Sequence, residues 1–144
     1  MEHFIAQVCD RMILTTMHPR TTIHINVIEL HNDGCLSSCA VNATMFALID
    51  AGVPMRHLVA AATCCLDTEG AIHFSPNQDT LDQSCGIVTL VLESKLKQIL
   101  SLSSKGVITT GQLNQCVNML TDKCVDLFEA FRAHISNSCS ISTV

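Results

Sequence analysis

The feature that most constrains the fold is a segment from about Leu36 to Ala51 whose apolar residues, at helical spacing, surround the helix axis. It follows the turn-forming run His31-Asn32-Asp33-Gly34 and ends at Gly52, which suits the first position after a helix, while Pro54 blocks continuation. A helix that is apolar all round is buried on several sides. The chain must therefore supply other layers to enclose it.

Two further helices are indicated. From Glu2 to Met17 the apolar residues form one stripe, so we expect an amphipathic helix that ends before His18 and Pro19. Thr109 and Gln112 have the spacing of a capping box, and apolar residues keep helical spacing from there to Ile135. The small, polar residues 136–144 are expected to fray.

Five segments have the composition or alternation of strands. They are Thr21–Leu30, with a phase slip that suggests a bulge, His57–Leu66 and Ala71–Ser75 as a hairpin, the buried run Gly86–Glu93, and Gln98–Leu102. A polar loop or short helix follows Pro76. The order αβαββββα predicts an α+β fold with helices packed on a mixed sheet. Thr21–Leu30 would be an unshielded edge unless another strand precedes it.

Composition limits the class of function. The 144 residues suit one domain, and charged residues make up 15% against about 25% in typical domains, so we expect partner chains to cover some apolar surface. The net charge is −5, with eight Lys plus Arg and no basic run, and Trp and Tyr are absent. These features argue against a free-standing nucleic-acid binder with a base-stacking platform.

The sequence also indicates the redox environment in which the protein works. No apolar run reaches the length of a membrane span, and the start, Met1-Glu2-His3, lacks a basic signal region. We therefore expect the nine cysteines, including the adjacent Cys64 and Cys65, to be free thiols in a reducing environment.

Several side chains invite a chemical interpretation. Cys35 and Cys39 share a helical face, which would allow a shared ion, but their spacing does not match a zinc pair and we interpret them as packing thiols. For a cysteine nucleophile, no partner histidine can be assigned from the sequence. His24 and His73 lie on expected strands, and we interpret them as core or surface histidines.

Carboxylates offer a second set of candidates. Asp79 and Asp82 are three residues apart and could hold a divalent ion or act as acid and base, or could simply cap a short helix. Asp67 and Glu69 belong to a turn. The Asp33-Gly34 turn precedes a helix N-terminus, which favours anions, but no arginine follows it, so any anion site there is weak.

A family resemblance rests on several motifs at fixed spacing. They are His18-Pro19-Arg20-Thr21, Asp33-Gly34, Val41-Asn42-Ala43 and Ala47-Leu48-Ile49-Asp50-Ala51-Gly52-Val53-Pro54-Met55. Together they resemble the ribonuclease PH family. The resemblance implies an α+β fold like that of ribosomal protein S5 domain 2, with several strands before the first helix. It implies that residues 1–136 form a partial RNase PH-like domain that is N-terminally truncated, followed by a flexible tail at 137–144.

The resemblance also implies a lost active site. Active members use phosphate to release nucleoside diphosphates from RNA, with an Arg shortly after the Asp-Gly turn, where Ser37 stands here beside Leu36. Two Asp residues of the active pattern fall on Leu81 and Ile87. We therefore expect no catalytic, cofactor-binding or metal-binding residues, and no cofactor.

The implied function is a non-catalytic structural subunit of the RNA exosome ring that supports 3′-to-5′ processing and decay of rRNA and mRNA by a separate nuclease. Implied partners are other RNase PH-like ring subunits and RNA-binding cap subunits, in nucleus, nucleolus and cytoplasm. Two alternatives stay open: a phosphorolytic 3′-exoribonuclease that uses Asp79 and Asp82, and a truncated isoform that self-associates outside the exosome. Candidates for RNA contact by charge alone are Arg20, Arg56, Lys95, Lys97 and Lys105.

Overall fold

The structure is a computed structural model that describes residues 1–17 and 19–141, with side chains described as far as Asn137. Its elements are α1 Glu2–Met12, a 3₁₀ turn Thr15–Met17, α2 Leu36–Asp50, β1 Val59–Leu66, β2 Ile72–Phe74, α3 Gln78–Asp82, β3 Gly86–Glu93, β4 Ile99–Gly106 and α4 Thr110–Ile141. The fold is α+β, as predicted. Among the described residues, no helix is long and apolar enough to cross a membrane.

The four strands form one sheet in the order β2-β1-β3-β4, and every neighbouring pair is antiparallel. The expectation of a mixed sheet was wrong. The links from β1 to β2 and from β3 to β4, residues 67–71 and 94–98, are too short for the crossover of about a dozen residues or more that a parallel pair needs. The strands β2 and β3, which are joined through α3, run in the same direction but lie on either side of β1 and do not pair.

Helices cover both faces of this sheet. One core joins α1 and α2 to β1 and β3 through Ile5, Val8, Cys9, Met12, Ile13, Ala40, Val41, Met45, Leu48, Val59, Ala61 and Val91. The other joins α4 to the opposite face through Ala60, Cys64, Leu66, Val88, Leu90, Leu92, Cys116, Leu120, Cys124 and Phe128. Because β3 is covered on both faces, its sequence from Ile87 to Leu92 is apolar at every position except Thr89.

The helix α2 lies where the sequence predicts it. Gly52 has φ +66°, and the N–H of Val53 donates to the carbonyl of Leu48 at 3.0 Å, which closes the helix end. The enclosure is incomplete, however, because Cys39, Ala43 and Ala47 form an exposed stripe of small residues.

The helix α1 is shorter than predicted and ends at Met12 instead of Met17. At Ile13 the backbone becomes extended and forms an isolated antiparallel bridge with Met55. The N–H of Arg56 also donates to the carbonyl of Met12 at 2.8 Å. Pairing with the segment after α2 therefore replaces the last helical turn.

The predicted strand Thr21–Leu30 is wrong, because this segment adopts neither helix nor strand. Residues 20–30 make no backbone hydrogen bond to the other described residues. Alternation alone cannot make a strand, since a strand also needs a hydrogen-bonded neighbour.

The hairpin, β3 and α4 match the prediction within a few residues, and β4 extends further, to Gly106. The capping box is present: the N–H of Thr109 donates to the Gln112 side chain at 3.0 Å, and the N–H of Gln112 donates back to Thr109 at 3.4 Å. The helix continues through Ile141, so residues 137–141 are helical. Residues 142–144 of the expected tail lie outside the described residues.

Candidate functional site

A polar cavity of about 160 Å³ lies where the N-terminus of α2 meets β1, β3 and β4. Its walls are Asn32, Gly34, Cys35, Leu36, Ser37, Thr63, Gln78, Leu81, Ile87, Thr89, Ser103 and Lys105. The lining therefore combines the turn before α2, the helix α3 and three neighbouring strands.

Hydroxyl groups form the floor of this cavity. Thr63, Thr89 and Ser103 lie directly opposite one another on adjacent strands, so their side chains share one face of the sheet. The Thr63 hydroxyl donates to Ser38 at 3.0 Å, and Ser38 donates to the carbonyl of Cys35 at 2.9 Å. Since the Thr63 hydrogen is thus used, the 2.9 Å bond between Thr63 and Thr89 has Thr89 as its donor. The result is a directed chain of neutral hydrogen bonds.

The turn before α2 is fixed against α3. Gly34 has φ +90°, and a side chain there would collide with the carbonyl oxygen of Pro76. The Asp33 carboxylate accepts from the N–H of Gln78 at 3.2 Å, and the Asn32 side-chain oxygen accepts from the N–H of Gly34 at 3.1 Å. Asp33 therefore serves to hold this turn.

The first turn of α2 has no side-chain cap. Cys35 occupies the N-cap with φ +55°, and its thiol donates to the carbonyl of Pro76 at 3.3 Å. Burial, followed by the neighbouring Cys65 and Cys39 thiols, raises the pKa of Cys35 and keeps it protonated. The uncapped helix end adds positive potential to the cavity. In the part of the lining that the structure describes, Lys105 is the one Lys, Arg or His side chain.

The structure brings together the positions that the family resemblance singled out. Leu36, Ser37, Leu81 and Ile87 all line this cavity. The carboxylates offered as substitutes do not line it: Asp79 is exposed, and the exposed Asp82 accepts from the Gln78 side chain at 2.8 Å.

The cysteine candidates do not form a metal site. Cys35 turns to a carbonyl while Cys39 is exposed on α2. Within the described part of the chain, no group of three or more Cys, His, Asp or Glu side chains could hold a metal ion.

The histidine and turn candidates lie away from the cavity. His24 is exposed in the segment without secondary structure, and the His73 ring lies 3.1 Å from the Asp67 carboxylate. That hydrogen bond, together with those from the N–H groups of Ala71 and Glu69, lowers the pKa of Asp67. These groups stabilise the hairpin turn, where Asp67 belongs by sequence.

The basic candidates are dispersed. Lys105 lines the cavity, whereas Arg20, Arg56, Lys95 and Lys97 are exposed elsewhere on the surface.

Two polar arrangements near the sheet escaped sequence reasoning. Asn42 of α2 bonds both backbone groups of Ala61: its oxygen accepts from the N–H at 2.8 Å, and its nitrogen donates to the carbonyl at 2.9 Å. At the far end of the sheet, the His57 ring lies 3.1 Å from the Glu93 carboxylate, and both side chains are largely buried. The signal for Asn42 was a lone amide in an apolar helix, since a buried polar group needs partners.

Comparison with known proteins identifies the fold and its family. Residues 1–54 match the model described as the 3′ exoribonuclease family, domain 1 (RNase PH). The crystal structure of Rrp46 from rice (Oryza sativa) superposes with a TM-score of 0.78 and 26% identity over 89% of this chain. The chain contains a ribonuclease PH family domain.

Two curated relatives, both named as exosome proteins, are also similar to this chain. The "exosome complex exonuclease RRP46 homolog" of Arabidopsis thaliana is 38% identical over 77 residues, which are 54% of this chain and 32% of the relative. The protein of the same name from Oryza sativa subsp. japonica is 33% identical over 104 residues, 72% of this chain and 42% of the relative. The chain thus spans about a third to two fifths of these relatives, and 61% of the rice Rrp46 structure.

Proposed function

We propose that this chain is a non-catalytic structural subunit of an exosome ring, of the type called exosome component five. The names of its relatives support the assignment to an exosome. The observation that carries the non-catalytic part is that Leu81 and Ile87, on which the family resemblance places the two carboxylates of active members, are apolar and line the cavity at the start of α2.

The chemistry of the cavity supports this proposal. Phosphorolysis needs cationic groups to bind phosphate and a group that transfers a proton to the leaving oxygen. Among the described residues of the lining, Lys105 is the single basic side chain, and none is Asp, Glu or His. The directed hydroxyl chain ends on a backbone carbonyl, so it supplies no base of suitable pKa.

The exposed apolar surface supports a role in assembly. On β4 and just after it, Ile99, Leu102 and Val107 keep 43%, 42% and 85% of their surface exposed. Patches of this kind mark protein interfaces. We propose that RNase PH-like ring subunits cover this surface, that RNA-binding cap subunits join the same complex, and that the complex acts in rRNA processing and mRNA decay in nucleus, nucleolus and cytoplasm.

Co-purification with the other ring subunits tests the assembly role. We expect the tagged chain to recover them in near-equal amounts, and Leu102→Glu to reduce recovery several-fold. The matched control is Thr68→Glu, which places the same charge on the exposed turn between β1 and β2, at the opposite edge of the sheet, and is expected to retain assembly. Failure of the wild-type chain to recover any ring subunit would contradict the proposal.

An activity assay tests the non-catalytic role separately. Purified, folded protein is incubated with RNA, with and without inorganic phosphate, and nucleoside diphosphates are measured. We expect none above background. Phosphate-dependent release that disappears in Asp79→Asn or Asp82→Asn would establish the enzymatic alternative instead.

A further inference from the structure

The turn that joins β3 to β4, residues 94–98, presents an apolar side chain between two cations. Leu96 keeps 66% of its surface exposed, and its neighbours Lys95 and Lys97 are exposed as well. A single exposed leucine is common on protein surfaces. This one differs because it stands on a turn that buried groups hold in place.

The buried carboxylate of Glu93, a residue that is 6% exposed, fixes the turn from within. One of its oxygens accepts from the N–H of Leu96 at 2.8 Å, and the other lies 3.1 Å from the His57 ring. The N–H of Ser94 also donates to the carbonyl of Leu58 at 2.9 Å. The turn is therefore preorganised, so that binding at its tip costs little conformational entropy.

Lys97 adopts a backbone conformation that is rare for a lysine. Its φ is +54°, in the left-handed region that favours glycine. A glycine would form the same turn without strain, whereas the lysine forms it at a cost to stability. Strained residues of this kind cluster at binding sites and switch regions, so the strain directs attention to the Lys97 side chain.

Two further cations belong to the same end of the sheet. The Arg11 side chain donates to the carbonyl of Leu100, the second residue of β4. The N–H of Arg56 donates to the carbonyl of Met12, where α1 ends. Together with the two lysines of the turn, these residues are half of the eight Lys and Arg residues in the chain.

Acidic residues offset these cations only in part. At the end of β3, Glu93 is buried, and in the last turn of α1, Asp10 lines the groove between α1 and residues 21–28. Asp50 is exposed at the end of α2. Residues 18 and 138–144, whose side chains the structure does not describe, contain no Asp, Glu, Lys or Arg. The exposed surface around the turn therefore favours an anionic partner.

The composition of the turn distinguishes between anionic partners. Cations attract phosphates and carboxylates alike, but the net charge of −5 opposes a long polyanion such as RNA, which would extend past the turn. The turn contains no aromatic residue on which bases could stack. An exposed leucine gains instead from contact with apolar side chains, as in the core of a protein interface.

We propose that the turn 94–98 is a docking site for a short acidic segment of another polypeptide, in which Asp or Glu residues flank apolar ones. The apolar side chains of this segment pack on Leu96, and its carboxylates pair with Lys95 and Lys97. A longer segment also reaches Arg11 and Arg56. This proposal does not depend on membership of a ring.

Two fluorescent octapeptides, acetylated and amidated, test the charge preference. The first is Ser-Glu-Asp-Leu-Phe-Asp-Glu-Ser, and the second carries Lys in place of all four acids. Attraction to the protein as a whole, with its net charge of −5, would favour the Lys peptide, so a preference for the acidic peptide reports on a local site. By fluorescence anisotropy at low salt, we expect the acidic peptide to bind about three- to thirtyfold more tightly, as two exposed ion pairs allow.

Charge reversal on the turn provides the matched test of the site. In the double variant Lys95→Glu/Lys97→Glu, the preference is expected to invert in favour of the Lys peptide. The control Lys105→Glu/Lys123→Glu changes the net charge by the same amount at exposed positions elsewhere and is expected to keep the preference. No measurable binding of the acidic peptide to the wild-type protein, or an equal loss in both double variants, would overturn the proposal.

Single substitutions separate the side chains from the shape of the turn. Glycine accepts the φ of Lys97, so in Lys97→Gly we expect an unchanged or higher urea midpoint together with acidic-peptide binding about two- to fivefold weaker. Leu96→Ser is expected to weaken binding about fivefold, whereas Leu102→Ser, at another exposed apolar position, is expected to have no effect. Wild-type binding by Lys97→Gly or by Leu96→Ser would overturn the proposal.

Two further measurements distinguish other occupants. Displacement of the acidic peptide by an oligouridylate of the same net charge, at equal concentration, would identify an RNA contact instead. Self-association of the wild-type chain in sedimentation velocity that is lost in Lys95→Glu/Lys97→Glu would identify a second copy. Either result would overturn the assignment to a different polypeptide, and we expect neither.

Discussion

Asn42 is the residue whose substitution tests the packing of α2 on the sheet most directly. Ala61 retains 2% of its surface, and its N–H and C=O point away from β3, toward the side on which β2 pairs only with residues 64–66. Asn42 therefore acts at this position as a substitute for a neighbouring strand. Without it, two buried backbone groups lose their partners.

We predict that Asn42→Ala lowers the free energy of unfolding by about 2–4 kcal/mol, because each unsatisfied buried group costs about 1–3 kcal/mol and helix propensity returns a few tenths. With a urea m-value of about 2 kcal/mol/M, the midpoint falls by about 1–2 M. Circular dichroism during urea unfolding measures this shift.

Two companion variants make this result interpretable. Asn42→Asp keeps an acceptor for the N–H of Ala61 but turns a second oxygen toward its carbonyl, so it is expected to destabilise at least as much as alanine. Asn114→Ala, on an exposed position of α4, is expected to be neutral or slightly stabilising. An Asn42→Ala midpoint within about 0.2 M of wild type would refute the assigned role of this side chain.

Three further predictions concern single positions. Gly34→Ala combines φ +90° with a backbone collision, so its free energy of unfolding is expected to fall by at least about 1–2 kcal/mol, the cost of a strained backbone. The control is Gly111→Ala in α4, whose added methyl meets no atom within 4 Å and which should be at least as stable as wild type in the same urea titration. Folding lowers the pKa of Asp67, so this carboxylate stabilises the protein above its ordinary pKa, and the stabilisation is lost as the pH falls through the lowered value. In Asp67→Asn, the free energy of unfolding should therefore depend less on pH in the acidic range. An unchanged pH dependence would contradict this. In alkylation followed by peptide mass spectrometry, the exposed thiol of Cys39 should react first among the cysteines whose side chains the structure describes. Cys124, whose pKa burial raises to about 12, should react only in urea, and native labelling of Cys124 at the rate of Cys39 would count against this order.

The sequence predicted those elements whose signals are local. Each of these signals depends on residues close together in the chain: the apolar period of α2, its stop at Gly52, the Thr109 capping box and the nearly continuous apolar run of β3. Residues 21–30 show the limit of such signals, because their alternation is that of a strand while strand formation depends on a neighbour elsewhere. The predicted end of α1 was wrong for a related reason, because the bridge from Ile13 to Met55 depends on a residue far along the chain.

The cavity was predictable only in part. Family resemblance drew attention to Ser37, Leu81 and Ile87, and the structure places all three in the same lining. The hydroxyls of Thr63 and Thr89 lie in apolar strand sequences 26 residues apart, and only the sheet register brings them into contact. Long-range pairing of this kind leaves no periodicity for sequence reasoning to detect.

The position of β3 has a consequence for how the protein unfolds. Its side chains contribute to both cores, with Val91 on the α1 and α2 side and Val88, Leu90 and Leu92 on the α4 side. Neither layer of helices can separate without exposing one face of the same strand. The two layers should therefore melt together in one cooperative transition, and a cavity-forming substitution on either side of β3 should lower the stability of both.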